Sequence, residues 1–240
     1  MNGLDGLRLT GDEALFLDFD GTLAEIGPDP AAIFMPDDTP AHLQALAGRL
    51  GGALALISGR DLRDLARRTP DCIWRVGGHG LEVLAPGDAL PPPPPPPPDA
   101  LLAALRPATE TPGVRIEVKG PVVAVHFRAA PDAEESCRAA AIDAVQACPD
   151  YRFQAGKMIV ELKPKGADKG AALRSLADRA PFAGRRPVMV GDDATDEDAM
   201  AAARDLGGIA VKVGSGDSLA GLRAPDPEAV RAWLAREVAR

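Results

Sequence analysis

Cysteine is scarce in this chain of 240 residues: Cys72, Cys137 and Cys148 are an odd set with no Cys-x-x-Cys pair. That argues against a disulfide framework and against thiolate metal ligands, and the three read as reduced thiols filling a core. No apolar run is long enough to span a bilayer, and the N-terminus lacks a charged-then-apolar signal pattern. The expectation is a cytoplasmic protein. Positive charge is also short, with 27 basic residues against 35 acidic ones, a net charge of −8 and a pI of about 5.0. Such a chain has no electrostatic attraction for nucleic acid or an anionic membrane. A Gly-rich loop ending in Lys-Ser/Thr is missing too, which argues against a phosphate-loop nucleotide module. Among the basic residues lysine is the rare one. Four of the six lysines, Lys157, Lys163, Lys165 and Lys169, fall in one short stretch. A compact ammonium suits a phosphate or an aspartyl-phosphate, although a solvated basic loop has the same composition.

What is present is a core-forming composition, 46% hydrophobic and 26% charged. The length suits a core domain with a smaller one inserted. Apolar runs at Ala14–Leu17, Ala53–Ile57, Pro187–Val190 and Gly208–Val213 read as strands buried on both faces of a parallel sheet. Helical patterns alternate with them at Pro40–Leu50, Asp61–Arg68, Asp168–Ala180, Asp196–Leu206 and from Asp226 onward, where Asp226 and Pro227 suit N-cap and first helical position. Alternation of this kind predicts a doubly wound, Rossmann-like α/β core.

The middle of the chain reads differently. A helix at Leu101–Arg106 precedes strands at Val114–Val118 and Val122–Phe127. A second helix at Asp132–Ala147, with Asp132 and Glu135 at capping-box spacing, precedes strands at Arg152–Gln154 and Met158–Leu162. This αββαββ pattern predicts an inserted α+β cap over 86–162, between core segments 1–85 and 163–240. The proline run Pro91–Pro98 at its entry reads as an extended spacer.

Chemistry-bearing residues follow the strands. Asp18-Phe19-Asp20-Gly21 sits at the C-terminal end of the first one, where open α/β sheets bind ligands. The first carboxylate can attack phosphorus; the second can protonate the leaving oxygen and later activate water. An Asx-turn or a calcium loop uses the same fragment, but the remaining EF-hand ligands do not follow. Ser58-Gly59-Arg60 ends the second strand, and its hydroxyl and amides suit a phosphoryl group, although strand-end serines also serve as caps. Lys169 opens a helix, where an ammonium opposes the helix dipole, and it can neutralise both nucleophile and phosphate. Gly191-Asp192-Asp193-Ala194-Thr195-Asp196-Glu197 places four carboxylates after an apolar strand. Oxygen ligands at a phosphate site point to a hard cation, Mg²⁺ above all. An acid-rich helix start would account for Asp196 and Glu197, less so for Asp192.

In this order the elements resemble the haloacid dehalogenase superfamily and, within it, the trehalose-6-phosphate phosphatases. The resemblance runs over nearly the whole chain, through LDFDGTLAEI at 17–26, ISGR at 57–60, GGHGLE at 77–82, IEVKG and AVHFR within 116–128, ELKPKGADKGAAL at 161–173 and GDDATDEDA at 191–199. It implies an Mg²⁺-dependent enzyme with Asp18 as nucleophile and Asp20 as general acid/base. Asp18, the carbonyl of Asp20 and Asp192 would hold the metal, and Ser58 and Lys169 the phosphoryl group. Asp193 and Asp196 would support them, and Glu117, Lys119 and Glu161 would grip sugar hydroxyls. The implied substrate is a sugar phosphate, trehalose 6-phosphate, and the implied pathway partner a trehalose-phosphate synthase. Sucrose 6-phosphate or mannosyl-3-phosphoglycerate phosphatases, or an inactive sugar-phosphate sensor, are the alternatives. Gly78 departs from the pattern, since the family usually has Asn there, and so does the proline run.

Overall fold

The computed structural model describes residues 3–156 and 158–240. Lys157, expected in a cap turn, lies outside them. The described residues fall into two compact units, one formed by the chain up to Pro91 with Asp168–Arg240, the other by Pro92–Ala167. The division falls a few residues beyond the expected 86 and 162.

In the first unit the elements run β1 (Glu13–Leu17), α1 (Thr39–Arg49), β2 (Leu54–Ile57), α2 (Leu62–Arg68), β3 (Trp74–Gly77) and β4 (Glu82–Leu84). The second unit intervenes with α3 (Asp99–Thr109), β5 (Arg115–Lys119), β6 (Val122–His126), α4 (Glu134–Ala147), β7 (Tyr151–Gly156) and β8 (Ile159–Pro164). The first unit then resumes as α5 (Lys169–Ala177), β9 (Arg186–Gly191), α6 (Asp196–Asp205), β10 (Ile209–Val213), β11 (Leu222–Ala224) and α7 (Pro227–Val238).

Its seven-stranded sheet has the order β11-β10-β9-β1-β2-β3-β4. All pairings are parallel except β3 with β4. β1 lies centrally, pairing Leu15 with Leu54 on one side and Val188 on the other. Burial on both faces is why β2, and β1 and β9 after their first residues Glu13 and Arg186, are unbroken apolar runs. The strand order reverses direction on either side of β1, so the loops after β1 and its neighbours open a crevice at their C-terminal ends. Phe16 stacks on Phe182 at 5.3 Å, and Trp74 meets Phe182 edge-on at 5.5 Å.

Three short strands escape the sequence reading. β3 and β11 each carry an arginine, Arg75 and Arg223, and β4 is only three residues long. None presents an apolar run. Asp226 caps α7 as expected, accepting from Ala229 N at 2.8 Å. The capping box at Asp132 does not form. Pro131–Ala133 make a 3₁₀ turn, so Asp132 is already inside helical backbone and the N-cap is Ala133, without a side-chain bond.

The second unit is a four-stranded antiparallel sheet, β5-β6-β8-β7, whose one face packs on α3 and α4. Val123, Val125, Val160, Leu162 and Phe127 form its core with Leu101, Leu105 and the small face of α4. Cys137 and Cys148 are buried there as free thiols. No helix among the described residues is long and apolar enough to cross a membrane.

Phe182 holds the aromatic cluster under β1 and is fully buried. Phe182→Ala should cost about 3–5 kcal/mol in urea denaturation. A loss below 1 kcal/mol would remove this cluster from the fold's supports.

Candidate active site

β1 ends in Asp18, whose N–H donates to the Val190 carbonyl of β9 at 2.9 Å. β2 ends in Ser58, whose N–H donates to the Val76 carbonyl of β3 at 2.9 Å. The sheet ladder therefore carries Asp18, Ser58 and the Gly191-Asp192 turn to one edge. After Asp18 the chain reverses at Gly21, with φ +76° and its N–H on the Ala24 carbonyl at 2.8 Å. A Cβ on Gly21 would lie 2.2 Å from Asp192 Oδ2, so only glycine lets the β1 and β9 loops close.

Lys169 is the first residue of α5, and Asp168 caps that helix by accepting from Ala171 N at 2.9 Å. Its ammonium does not go to solvent. Nζ donates to Asp18 Oδ1 at 2.8 Å and to Asp196 Oδ1 at 2.7 Å, and all three side chains are 5% exposed or less. The other oxygen of Asp196 accepts from the N–H groups of Asp192 at 3.0 Å and Asp193 at 3.1 Å. Asp196 thus organises the loop rather than decorating a helix start. The capping work falls to Asp193, whose Oδ1 accepts from Thr195 N at 2.8 Å, Thr195 Oγ1 at 2.7 Å and Asp196 N at 3.1 Å.

Asp18, Asp192 and Asp196 can each bring one oxygen within 4.8 Å of the others. Burial, then repulsion from Asp196, Asp192 and Asp193, holds the Asp18 carboxyl well above the ordinary range despite Lys169. Burial, Asp193 and Asp196 push Asp192 up to about 7, and burial raises Asp196 to about 6 against the pull of Lys169. Asp193 goes the other way, to about 2, because Lys169 and its bonds from Thr195 outweigh burial. Lys169 itself is raised well above its usual value, its acidic neighbours overcoming desolvation. A bound divalent cation would relieve this crowding of carboxylates, and an all-oxygen donor set suits a hard one. The site's residues fit such an ion.

A second cation, Lys212, was not picked out from sequence. It is buried on β10, and its ammonium donates to the Asp192 carbonyl. The signal was there: a single charge inside the apolar run Gly208–Val213.

Asp20 faces elsewhere. Its carboxylate is held by Arg60, Nε to Oδ2 at 2.7 Å and Nη2 to Oδ1 at 2.6 Å. Arg60 Nη1 goes to Asp64 at 2.8 Å and the Pro30 carbonyl at 3.0 Å, and the guanidinium lies 5.2 Å from the Phe19 ring centroid. All three nitrogens are engaged. Ser58 is buried; its Oγ accepts from Arg60 N at 3.2 Å, which leaves the O–H to donate. Gly59 lies beneath the His79 ring, and His79 N–H donates to the Ser58 carbonyl at 3.0 Å. Gly78, with φ +58°, occupies the left-handed region, which Asn tolerates best among residues with a Cβ. Its departure from the family's Asn therefore keeps the backbone conformation.

In the second unit the register aligns Glu117, Ala124, Glu161 and Gln154 across the sheet. Period-2 alternation puts Lys119, Lys163, Arg152 and His126 on that same face, opposite α3 and α4. Glu117 accepts from His126 Nε2 at 2.9 Å and pairs with Lys119 at 3.5 Å. Lys119 and His126 thereby hold Glu117 ionised below its usual range, against the cost of burial. On this face Ala124 is fully buried and Lys163 is 1% exposed, while the side chains of Glu117, Lys119 and His126 are partly exposed. Lys163 escaped the sequence reading as a member of this face, although it stands two residues from Glu161.

The trehalose-phosphatase family model matches residues 16–226. The chain is 38% identical over 237 residues to the trehalose-6-phosphate phosphatase of Escherichia coli strain K12, covering 95% of this chain and 87% of that one. Among solved structures it is similar to a trehalose-6-phosphate phosphatase related protein, with a TM-score of 0.73, 25% identity and 94% and 96% of the two chains covered. The C-terminal domain of the C. albicans trehalose-6-phosphate phosphatase shares the fold, with a TM-score of 0.81, 24% identity and 97% of both chains covered.

Gly21→Ala should displace Asp192 and weaken divalent-cation binding by about 10–100-fold in calorimetry, with the circular dichroism spectrum retained. Unchanged cation affinity would mean that the approach of the β1 and β9 loops does not build the site.

Proposed function

The chain belongs to the trehalose-phosphatase family, and we propose that it hydrolyses trehalose 6-phosphate to trehalose and phosphate through a covalent phosphate on Asp18. The observation that carries this reading is the buried contact of Lys169 with Asp18 and Asp196 at 2.8 and 2.7 Å, beside Asp192 and at the ends of adjacent parallel strands. It sets a buried carboxylate against an ammonium that can take up phosphate charge.

In this mechanism Asp18 attacks phosphorus, forming an acyl-phosphate as the bond from phosphorus to the sugar oxygen breaks. Asp20 delivers a proton to that oxygen, then takes one from the water that attacks phosphorus, releasing phosphate and free Asp18. Lys169 and the Ser58 hydroxyl hold the phosphoryl oxygens. Arg60, with its donors engaged on Asp20 and Asp64, acts in our reading as the holder of Asp20 rather than as a phosphate ligand. Asp20 must leave that grip to handle its proton. Asp18, Asp192 and the Asp20 carbonyl would hold Mg²⁺, with Asp193 and Asp196 fixing the loop. That ion would supply electrostatic stabilisation of the phosphoryl charge when bound.

Specificity belongs to the charged face of the second unit. A disaccharide offers many hydroxyls and little apolar surface, so carboxylates and ammonium groups suit it as readers. Glu117, Lys119 and Glu161 fill that role here, with His126 keeping Glu117 in place. The three free cysteines suit the reducing cytoplasm, where we assign the enzyme. A trehalose-phosphate synthase would supply its substrate.

Asp18→Asn should abolish phosphate release from trehalose 6-phosphate while the protein stays folded, and chelation of Mg²⁺ should silence the wild type until the ion is restored. Substantial turnover by the purified variant would rule out attack by Asp18. Glu117→Ala should lower kcat/KM for trehalose 6-phosphate by about 1.5–3 kcal/mol, the worth of a charge-assisted hydrogen bond. A small aryl phosphate should be hydrolysed nearly as before. Equal losses on both substrates would sink the sugar-reading role.

A further inference from the structure

β3 offers a second place to look, at the end of the sheet away from Asp18. A cavity of about 410 Å³ is lined there by Ala66 and Arg67 of α2, Asp71, Arg75, Leu84, Gly87, Asp88 and Leu90. It lies wholly within the first unit, and its size is within the range of small-molecule sites. None of these residues takes part in the reaction proposed above.

Arg75 is its unusual member. The side chain is 5% exposed, yet among the described residues its guanidinium makes a single hydrogen bond, from Nη2 to the Asp71 carbonyl at 3.2 Å. Nε is buried with no acceptor. Burial pulls the Arg75 pKa below its ordinary value, although the nearby Asp71 carboxylate, which makes no hydrogen bond to it, pulls the other way. Folding has left the Nε donor of this five-donor group without water or a protein acceptor.

The rest of the lining narrows the chemistry of an occupant. Arg67 is already paired with Asp64 at 3.1 Å. Asp88 makes no side-chain hydrogen bond or ion pair among the described residues, and it stands at the exposed rim. Asp71 contributes another carboxylate. A phosphate dianion attracted by Arg75 would meet both acids, so a ligand with one negative and one positive end suits the wall better. Leu84 and Ala66 supply apolar wall, and Leu90 is an exposed large hydrophobe, 48% exposed, at the mouth. We propose that this cavity is a binding site for a small zwitterion of the free-amino-acid type: its carboxylate on Arg75, its ammonium toward Asp88, and an apolar side chain under Leu90. A ligand so held would fasten the Gly87–Leu90 segment, which leads into the proline run, to α2.

The test is calorimetric titration of the full chain with L-leucine, isovalerate, isoamylamine and inorganic phosphate. The variants are Arg75→Leu and Leu90→Glu. The second guards against misfolding of the first, because it alters only an exposed rim position and offers Arg75 a carboxylate of its own. Leucine should bind the wild type at one equivalent. Isovalerate and isoamylamine, each carrying half of the zwitterion, should bind at least tenfold more weakly. Both variants should weaken leucine binding tenfold or more, with kcat/KM of Leu90→Glu on the phosphate ester unchanged. The proposal is overturned if leucine shows no saturable binding, or binds Leu90→Glu as tightly as the wild type. It also fails if isovalerate or phosphate equals leucine, which would make the cavity a plain anion site.

Discussion

The bond between Lys169 and its two buried carboxylates, Asp18 and Asp196, is the constraint on which the functional half of the molecule turns. Breaking a buried pair by removing one partner typically costs about 3–5 kcal/mol, because the remaining charge is left without compensation. Here one ammonium faces Asp18 and Asp196 directly and Asp193 at longer range. The local structure follows from keeping that assembly solvent-free and satisfied. Asp168 caps α5 so that Lys169 enters at its first turn, Asp196 spends its second oxygen on two backbone N–H groups, and Asp193 caps the start of α6. Lys212 answers from β10 by tethering the Asp192 carbonyl. Even so, negative charge is in excess, which is the electrostatic condition a hard divalent cation relieves.

Two carboxylates two residues apart meet opposite environments in this arrangement. Asp18 is buried against an ammonium and other acids; Asp20 is a third exposed and gripped by a bidentate guanidinium. Chemically identical groups two residues apart thus sit in different electrostatic surroundings. Arg60 also joins Asp64 of α2, so the position of Asp20 is coupled to that helix through one planar side chain. Arg68 bonds the same Asp64, and the pairing drives the Asp64 carboxyl well below its usual range, although burial works against ionisation.

The second unit solves a different problem with the same materials. Its sheet buries Val123, Val125, Val160 and Leu162 on α3 and α4, and period-2 alternation forces every intervening side chain onto the other face. Glu117, Glu161, Lys119, Lys163, Arg152 and Gln154 gather there by register alone. A face of alternating acids and bases is costly to bury without partners.

The amino-acid sequence by itself determined the alternation of buried strands and helices, the αββαββ pattern of the middle segment, and the strand-end positions of Asp18, Ser58 and Asp192. Those features depend on hydrophobic periodicity and local turn chemistry, which are written in neighbouring residues. It did not reveal β3, β4 or β11, because a strand of three or four residues that carries a charged side chain gives no periodic signal until the neighbouring strands supply its hydrogen bonds. Nor did it separate the capping duty of Asp193 from the loop-fixing duty of Asp196, or show Arg60 turned to Asp20. The closed capping box expected at Asp132 gave way to a 3₁₀ turn. The place of Lys212, the Cβ-free approach of Gly21 to Asp192 and the solvent-starved Nε of Arg75 were decided by tertiary structure alone. Each depends on which distant side chain is near and how much water is excluded, and pairs such as Gly21 with Asp192, far apart along the chain, meet only when the sheet has brought their strands together.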